Sequence, residues 1–445
     1  MSRLVAAVVV AAFVPTIALT APVNAVGYEH PQVVSADPVN NTPHVQNGSV
    51  LAIATVGDRV YVGGTFTTVA NAGASTGATR NYLFAYDRST GQVLSGFAPV
   101  LDRPVETIAA APDGSSIIIG GRFTTVNGQA QRSLAMLRPD GTRVTTFKSK
   151  TNGIVTKVLV RGNRLLVAGK FSTVAAGTPR ANLAAFDATI GSLDTAFNVP
   201  VTEGRTKSTG TVTKPVVVEM DANSAGSRLV VIGNFRRVDG MLRQQIATID
   251  LETNRVTPWN TNRFPNGPSG APDAFPCAQV FDTQMRDVEF SQAGNYFVVV
   301  TTGGAPDRNV KSLCDTATRW ESAPTLKPAG ETETWRNCTG GDTLYSVAIS
   351  SSATGTGGAV YVGGHQRWLD NCGGRDSAVP GSFSAEGIGA IDARTGLAIR
   401  SWNPGRTRGV GAEELVADRD GLYVGSDTER LAGEYHARLG LFPLN

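Results

Sequence analysis

A seven-residue phrase, Gly-Gly-x-Phe-x-x-Val, recurs along this chain and limits its fold more than any other feature. It stands at Gly63–Val69 and Gly120–Val126, with close variants at Ala168–Val174 and Ile232–Val238. Looser copies are Gly303-Gly304, Gly363-Gly364-His365 and Gly425-Ser426-Asp427. Most follow a β-branched run such as Arg59-Val60-Tyr61-Val62 and precede a second apolar stretch such as Leu83-Phe84-Ala85-Tyr86-Asp87. An Asp-x-x-Thr-Gly or Pro-Asp-Gly turn comes next, then a short strand ending in Phe97, Phe147, Phe197, Trp259, Trp335 or Trp402. A unit therefore reads as strands A, B, C and D, and seven units at roughly 60 residues each carry the signature of a propeller. One four-stranded sheet cannot bury both faces, whereas a ring of sheets buries each against its neighbours. The expected fold is all-β: a seven-bladed β-propeller over residues 49–445, with four antiparallel strands per blade.

Composition agrees with strands and tight turns. Gly accounts for 50 of 445 residues and only 17% are charged, while 41% hydrophobic residues supply a core and rule out wholesale disorder. A net charge of +3, without long basic or acidic runs, gives no electrostatic sign of a nucleic-acid partner.

The N-terminus reads as an export signal. Arg3 precedes an apolar run from Leu4 to about Leu19, interrupted by Pro15 and Thr16, and Val23 and Ala25 are small residues at the two positions a signal peptidase reads. Residues 1–25 are taken as the signal peptide, and no later segment is apolar enough to span a bilayer. The protein is expected outside the cell. The last unit offers three strands, near Glu413–Ala417, Leu422–Gly425 and Arg438–Phe442; within the N-terminal segment 26–48, the stretch Gln32–Ala36 is expected to supply its fourth.

The units resemble the delta-60-repeat β-propeller family of exported bacterial proteins. Gly191-Ser192-Leu193-Asp194-Thr195-Ala196-Phe197 and the element Gly120–Gly128 carry that resemblance, which extends from about residue 50 to the end. It implies an extracellular propeller and no shared activity.

Most repeated residues read as scaffold. Phe66, Phe123, Phe171 and Phe235 are expected to pack between blades. The arginines preceding strand C (Arg80, Arg132, Arg180, Arg243 and Arg438) are expected to bond loop carbonyls or carboxylates. The turns Asp87–Gly91 and Asp392–Gly396 lack the dense acidic spacing of a calcium loop, and no metal is assigned. Lys157, Glu219, Asp287, Glu413 and Glu414 stand in innermost strands and are expected to line the axial channel.

The four cysteines have no C-x-x-C spacing, and in an exported protein two disulfides are the default. The residue before strand A and the residue after strand B share one end of a sheet. Cys277 and Cys314 hold these places in the fifth unit, Cys338 and Cys372 in the sixth. The expected pairs are Cys277–Cys314 and Cys338–Cys372.

Disulfide-restrained loops on a rigid scaffold are where function concentrates. The candidate ligand-binding residues are His365, Arg367, Trp368 and Asp370 in the sixth unit and Asp427, Glu429 and Arg430 in the seventh. Aligned on the glycines, His365 matches Asp427 and Arg367 matches Glu429. Trp368 among polar groups suits a sugar ring. The leading reading is a secreted binding or scaffold protein of unknown extracellular ligand, glycan or protein, using the B–C loop face of blades 5–7 without a cofactor. The alternative is an exported quinoprotein-like oxidoreductase or a carboxylate-based glycan hydrolase. Ala390-x-Asp392-x-x-Thr395-Gly396 followed by Trp402 looks like the tryptophan-docking motif of quinoprotein propellers, but the tryptophan lies two positions too far along. No nucleophile elbow or His-Glu-x-x-His stands in the chain.

Overall fold

The computed structural model describes residues 30, 33–304, 312–325, 330–351 and 358–445. The expected signal peptide, 1–25, and Gln32 of the expected closing segment lie outside the described residues. Strands and turns form everything described, with no helix among these residues.

The repeat dictates seven successive antiparallel sheets in which the first three strands neighbour one another in chain order. Sheet 1 has strands A Val50–Val56, B Arg59–Gly64 and C Leu83–Asp87; sheet 2 has Val105–Ala110, Ile117–Gly121 and Leu134–Leu137. Sheet 3 has Ile154–Arg161, Arg164–Lys170 and Leu183–Asp187; sheet 4 has Val216–Ala222, Arg228–Asn234 and Ile246–Asp250. Sheet 5 has Met285–Phe290, Tyr296–Thr301 and Thr316–Glu321; sheet 6 has Leu344–Ser351, Gly358–Gly364 and Ile388–Asp392; sheet 7 has Ala412–Asp418, Gly421–Ser426 and Leu439–Pro443. Each strand A lies beside the strand A of the next sheet, and that of sheet 7 lies beside that of sheet 1.

Among the described residues a fourth laddered strand exists only in sheets 4 and 5, as Arg255–Val256 and Trp335–Cys338. In sheets 1, 2, 3 and 6 it shrinks to a single bridge, such as Tyr86↔Val93 or Phe186↔Leu193. The reason is local. After Val93 the chain turns at once (Phe97 N–H to Leu94 O, 3.2 Å) and drops Phe97 into the core. Trp335, by contrast, opens its strand rather than ending one. Along strand C of sheet 7, Ser35 and Val39 donate to Pro443 O and Leu441 O at 2.8 and 2.9 Å. Val34 is buried beneath them, its N–H on the Tyr361 hydroxyl.

Apolar burial joins the sheets face to face. One cluster unites Tyr61, Leu83 and Ala85 of sheet 1 with Ile117, Ile119 and Leu137 of sheet 2; another unites Val60 and Phe84 with Tyr423 and Leu441 of sheet 7. Phe66, Phe123, Phe171 and Phe235 are buried, as expected of packing residues. In the Asp-x-x-Thr-Gly turns, Asp87 Oδ1 accepts from Thr90 N–H at 2.8 Å and Gly91 adopts φ +72°, which glycine takes without Cβ strain. Asp392 repeats the arrangement with Thr395. Three of the five recurrent arginines bond distant loop carbonyls: Arg180 reaches Phe197 O, Arg243 Thr257 O and Arg438 Gly48 O.

The ladders correct one repeat assignment. Thr301 pairs with Met285 as Gly64 pairs with Val50, so Val300-Thr301, not Gly303-Gly304, holds the place of the paired glycines in sheet 5. Gly303 stands where the first four units have phenylalanine.

Candidate functional site

Every A–B ladder slips by one residue at the same point, after Val50, Val105, Val155, Val217, Met285, Leu344 and Ala412. A bulge re-aims side chains and leaves backbone groups without ladder partners. Strand A is also the edge of each sheet, so alternate backbone groups along it have no ladder partner, and polar side chains from the preceding sheet take these up. Thr107 Oγ1 accepts from Val158 N–H (3.2 Å), and Thr156 Oγ1 donates to Val217 O (2.7 Å). Asp221 accepts from Phe290 N–H (2.8 Å), Asp287 from Val347 N–H (2.8 Å) and Glu289 from Ile349 N–H (3.2 Å). Ser346 Oγ donates to Ala412 O (2.8 Å), and Glu414 bonds the Ile53 backbone, carrying the series from sheet 7 back to sheet 1. The polar A-strand residues thus staple neighbouring sheets around the axis.

The five expected channel residues, Lys157, Glu219, Asp287, Glu413 and Glu414, all line a cavity of about 310 Å³ at the end of the axis where the A strands begin. A narrower one of about 110 Å³ continues inward past Asp221 and Glu289. Lys157 Nζ lies 3.0 Å from Glu219. Burial disfavours both charges, but three carboxylates, Glu219, Glu414 and Asp287, surround the ammonium and hold it above its ordinary value. Glu219 has that one ammonium and the Met220 N–H against its burial and the neighbouring Asp287, and is pushed up to about 8. Burial likewise pushes Glu414 and Glu413 up to about 7; nearby Asp427 and Glu106 raise Glu413 further.

Above this mouth lies the rim formed by the B–C loops. Two disulfides tie it, Cys277–Cys314 and Cys338–Cys372, with Cα separations of 5.9 and 4.7 Å. These are the pairs that strand register predicts. The first occupies the missing phenylalanine's space: a Cβ on Gly303 would lie 2.2 Å from Cys314 Cβ and 3.0 Å from Cys277 Sγ. In sheet 6 the same position is Gln366, wholly buried with neither amide atom bonded.

The rim residues are held by specific partners. Asp342, 5% exposed, accepts from Arg367 through Nε (2.9 Å), Nη2 (3.0 Å) and the backbone N–H (3.0 Å), and from Arg408 at 3.3 Å. Asp376 closes on the same Arg367. The Arg367 guanidinium lies 4.3 Å from the centroid of the half-buried Trp368 ring. His365 Nδ1 meets Gly409 O at 2.6 Å, while Asp427 accepts from Val410 and Gly411 N–H (2.7 and 3.1 Å) with Arg406 at 3.7 Å. His365 and Asp427 therefore converge on one loop, 406–411, across the seam between sheets 6 and 7. Asp370 is held elsewhere, by Asn337, Ala398 N–H and Arg400. Glu429 faces Arg438 at 3.6 Å, and Arg430 bonds Gly433 O within its own hairpin.

Sequence reasoning missed Asp221 and Glu289, although each stands two residues beyond a recognised channel carboxylate, the strand period that would have found them. It also missed Asp342, Arg406 and Arg408, whose connector carries no repeated signature. Clustering of all five tryptophans in the second half carried less than it promised: Trp259, Trp320, Trp335 and Trp402 are core residues, and only Trp368 is partly open.

Residues 111–147 and 163–197 match the family model described as a domain of unknown function (DUF5122) β-propeller. No curated protein matches the chain. Among solved structures, it is similar to the computationally designed protein Ika8 (11% identity, TM-score 0.45, covering 92% of this chain and 99% of that one). It is also similar to the Cps50 (Swd1) β-propeller domain of Myceliophteria thermophila (11% identity, TM-score 0.46, covering 92% and 100%). The chain carries the repeats of a β-propeller family.

Proposed function

We propose that this is an exported, seven-bladed propeller, with four strand positions per blade and residues 33–39 completing the last, that binds an extracellular glycan or protein on the B–C loop face of blades 5–7. The observation that carries the reading is the Arg367–Trp368 platform. An aromatic ring stays half open while the guanidinium lying over it is clamped by Asp342 and Asp376. A platform with its rotamers already fixed loses little side-chain entropy on binding. Two disulfides hold the loops around it, and His365 and Asp427 add polar groups from the neighbouring seam. Binding without catalysis suits a rim whose charged groups are committed to structural partners.

A glycan array probed with purified protein, and with Trp368→Ala as control, tests this. Binding that falls about tenfold or more in the variant supports the platform, since a stacked aromatic contributes about that much. Wild-type binding that Trp368→Ala leaves intact, or no glycan bound and no extracellular protein captured through this face, refutes it.

A further inference from the structure

The channel mouth carries charged groups that the staples do not use. Among its lining residues, Lys157 is paired with Glu219, Asp287 and Glu414 bond backbone groups of the next sheet, and Glu106 pairs with Arg122. Arg286 and Glu413 remain. Arg286 makes no ion pair among the described residues; it bonds only Met285 O, its Nε is buried without a partner, and its guanidinium lies over the rings of Phe281 and Tyr345 at 5.4 and 5.6 Å. Glu413 has neither hydrogen bond nor ion pair among the described residues. Both are the extra residue of their bulge, as is Tyr345 of the sheet between them. Sheets 5, 6 and 7 therefore present a guanidinium, a phenol and a carboxylate in succession around one cavity, flanked by the apolar Val218 of sheet 4 and Leu51 and Ala52 of sheet 1.

A cation and an anion left apart in one cavity complement a ligand carrying both charges. We infer that the channel mouth binds a small zwitterion, an α-amino acid or a dipeptide, with Arg286 taking its carboxylate and Glu413 its ammonium group. The guanidinium fork matches a carboxylate in a way an ammonium would not. A volume of about 310 Å³ lies at the small end of ligand sites, so long peptides are excluded. Tyr345 adjoins both charges and offers its ring to the side chain. The inference is independent of the rim platform: Trp368→Ala leaves it untouched.

Titration calorimetry of the full chain with glycine, L-leucine and L-alanyl-L-alanine provides the test, alongside N-acetyl-L-leucine and L-leucinamide. Saturable binding is expected for at least one zwitterion, and each blocked derivative should bind about tenfold more weakly or worse, the worth of one charged hydrogen bond. Arg286→Gln should erase the preference for free carboxylate over amide, and Glu413→Gln the preference for free amine over N-acetyl. Arg286→Lys, which keeps the charge but not the fork, should retain part of the first preference and shows whether loss in Arg286→Gln reflects folding. No heat from any zwitterion at millimolar concentration, or blocked derivatives binding as well as free ones, overturns the assignment.

Discussion

Replacing Glu413 by glutamine should make the protein more stable, and only at high pH. The carboxyl sits in the channel mouth near Asp427 and Glu106, and burial first and those charges second push it from 4.5 up to about 7. A folded-state value above the unfolded one means that the folded chain holds the proton more tightly. That contribution is complete below about pH 4.5 and is lost as pH rises through about 7. Every tenfold gain in proton affinity corresponds to about 1.4 kcal/mol, so ionising Glu413 in place costs at most about 3.5 kcal/mol. The mouth is open to water on one side, so about 1–2 kcal/mol is the expected magnitude. Glutamine keeps the shape and removes the ionisation. Urea unfolding of wild type and Glu413→Gln at about pH 4 and about pH 8 reads the difference directly. The variant should match wild type at the low pH and exceed it by about 1–2 kcal/mol at the high pH. Equal differences at both pH values, or destabilisation at the high one, would show that the carboxyl is solvated or that the nearby Arg406 offsets its burial.

Arg88→Met should cost about 3 kcal/mol, because Asp418 and Asp420 of the last sheet would lose the cation that spans the seam to sheet 1; adding Asp418→Asn should recover part of it in the same denaturation assay. Gln366→Leu should stabilise by about 1–2 kcal/mol, since an unbonded buried amide gives way to an apolar group of similar size; an unchanged midpoint would mean that the amide is satisfied in solution. Burial lowers the pKa of His30, whose Nε2 meets Asp418 O at 2.8 Å, so its contribution is present above about pH 6.5 and lost as pH falls below it. His30→Gln should flatten stability against pH in that window. Gly303→Ala should lower the yield of the Cys277–Cys314 bond on oxidative refolding, as its methyl would overlap Cys314 Cβ; non-reducing peptide mapping measures it.

What the amino-acid order reveals by itself follows from repetition. Recurrence of one strand-and-turn pattern forces seven similar sheets, and the position of each cysteine relative to strands A and B fixes which sulfurs meet. The polar residues of strand A are legible as channel-lining because a buried strand has no other reason to hold Lys157 or Glu219. Their stapling role is not, since it depends on strand A being the edge of its sheet and on its register; only the ladder shows that Val158, Val347 and Ile53 have amides to offer the neighbouring sheet. The rim illustrates a different limit. His365 and Asp427 align correctly on the glycines, yet the loop they share, 406–411, belongs to a connector with no repeat to anchor it. The misplaced register at Gly303 has the same origin: two adjacent glycines mimic the motif, whereas strand pairing follows the apolar run Tyr296–Thr301.

The staples between neighbouring A strands also bear on how such a chain can change over time. Each points one way, from a side chain of one stave in the hoop to the main chain of the next. Excising or inserting a single copy would part Asp221 from Phe290, for instance, unless the newcomer arrived with both a clasp of its own and a free amide to receive one. Order around the hoop is thereby frozen, while the outward-facing loops of each stave are left at liberty to drift. The chemical divergence of the fifth to seventh copies, against the uniformity of the first four, is what that asymmetry permits.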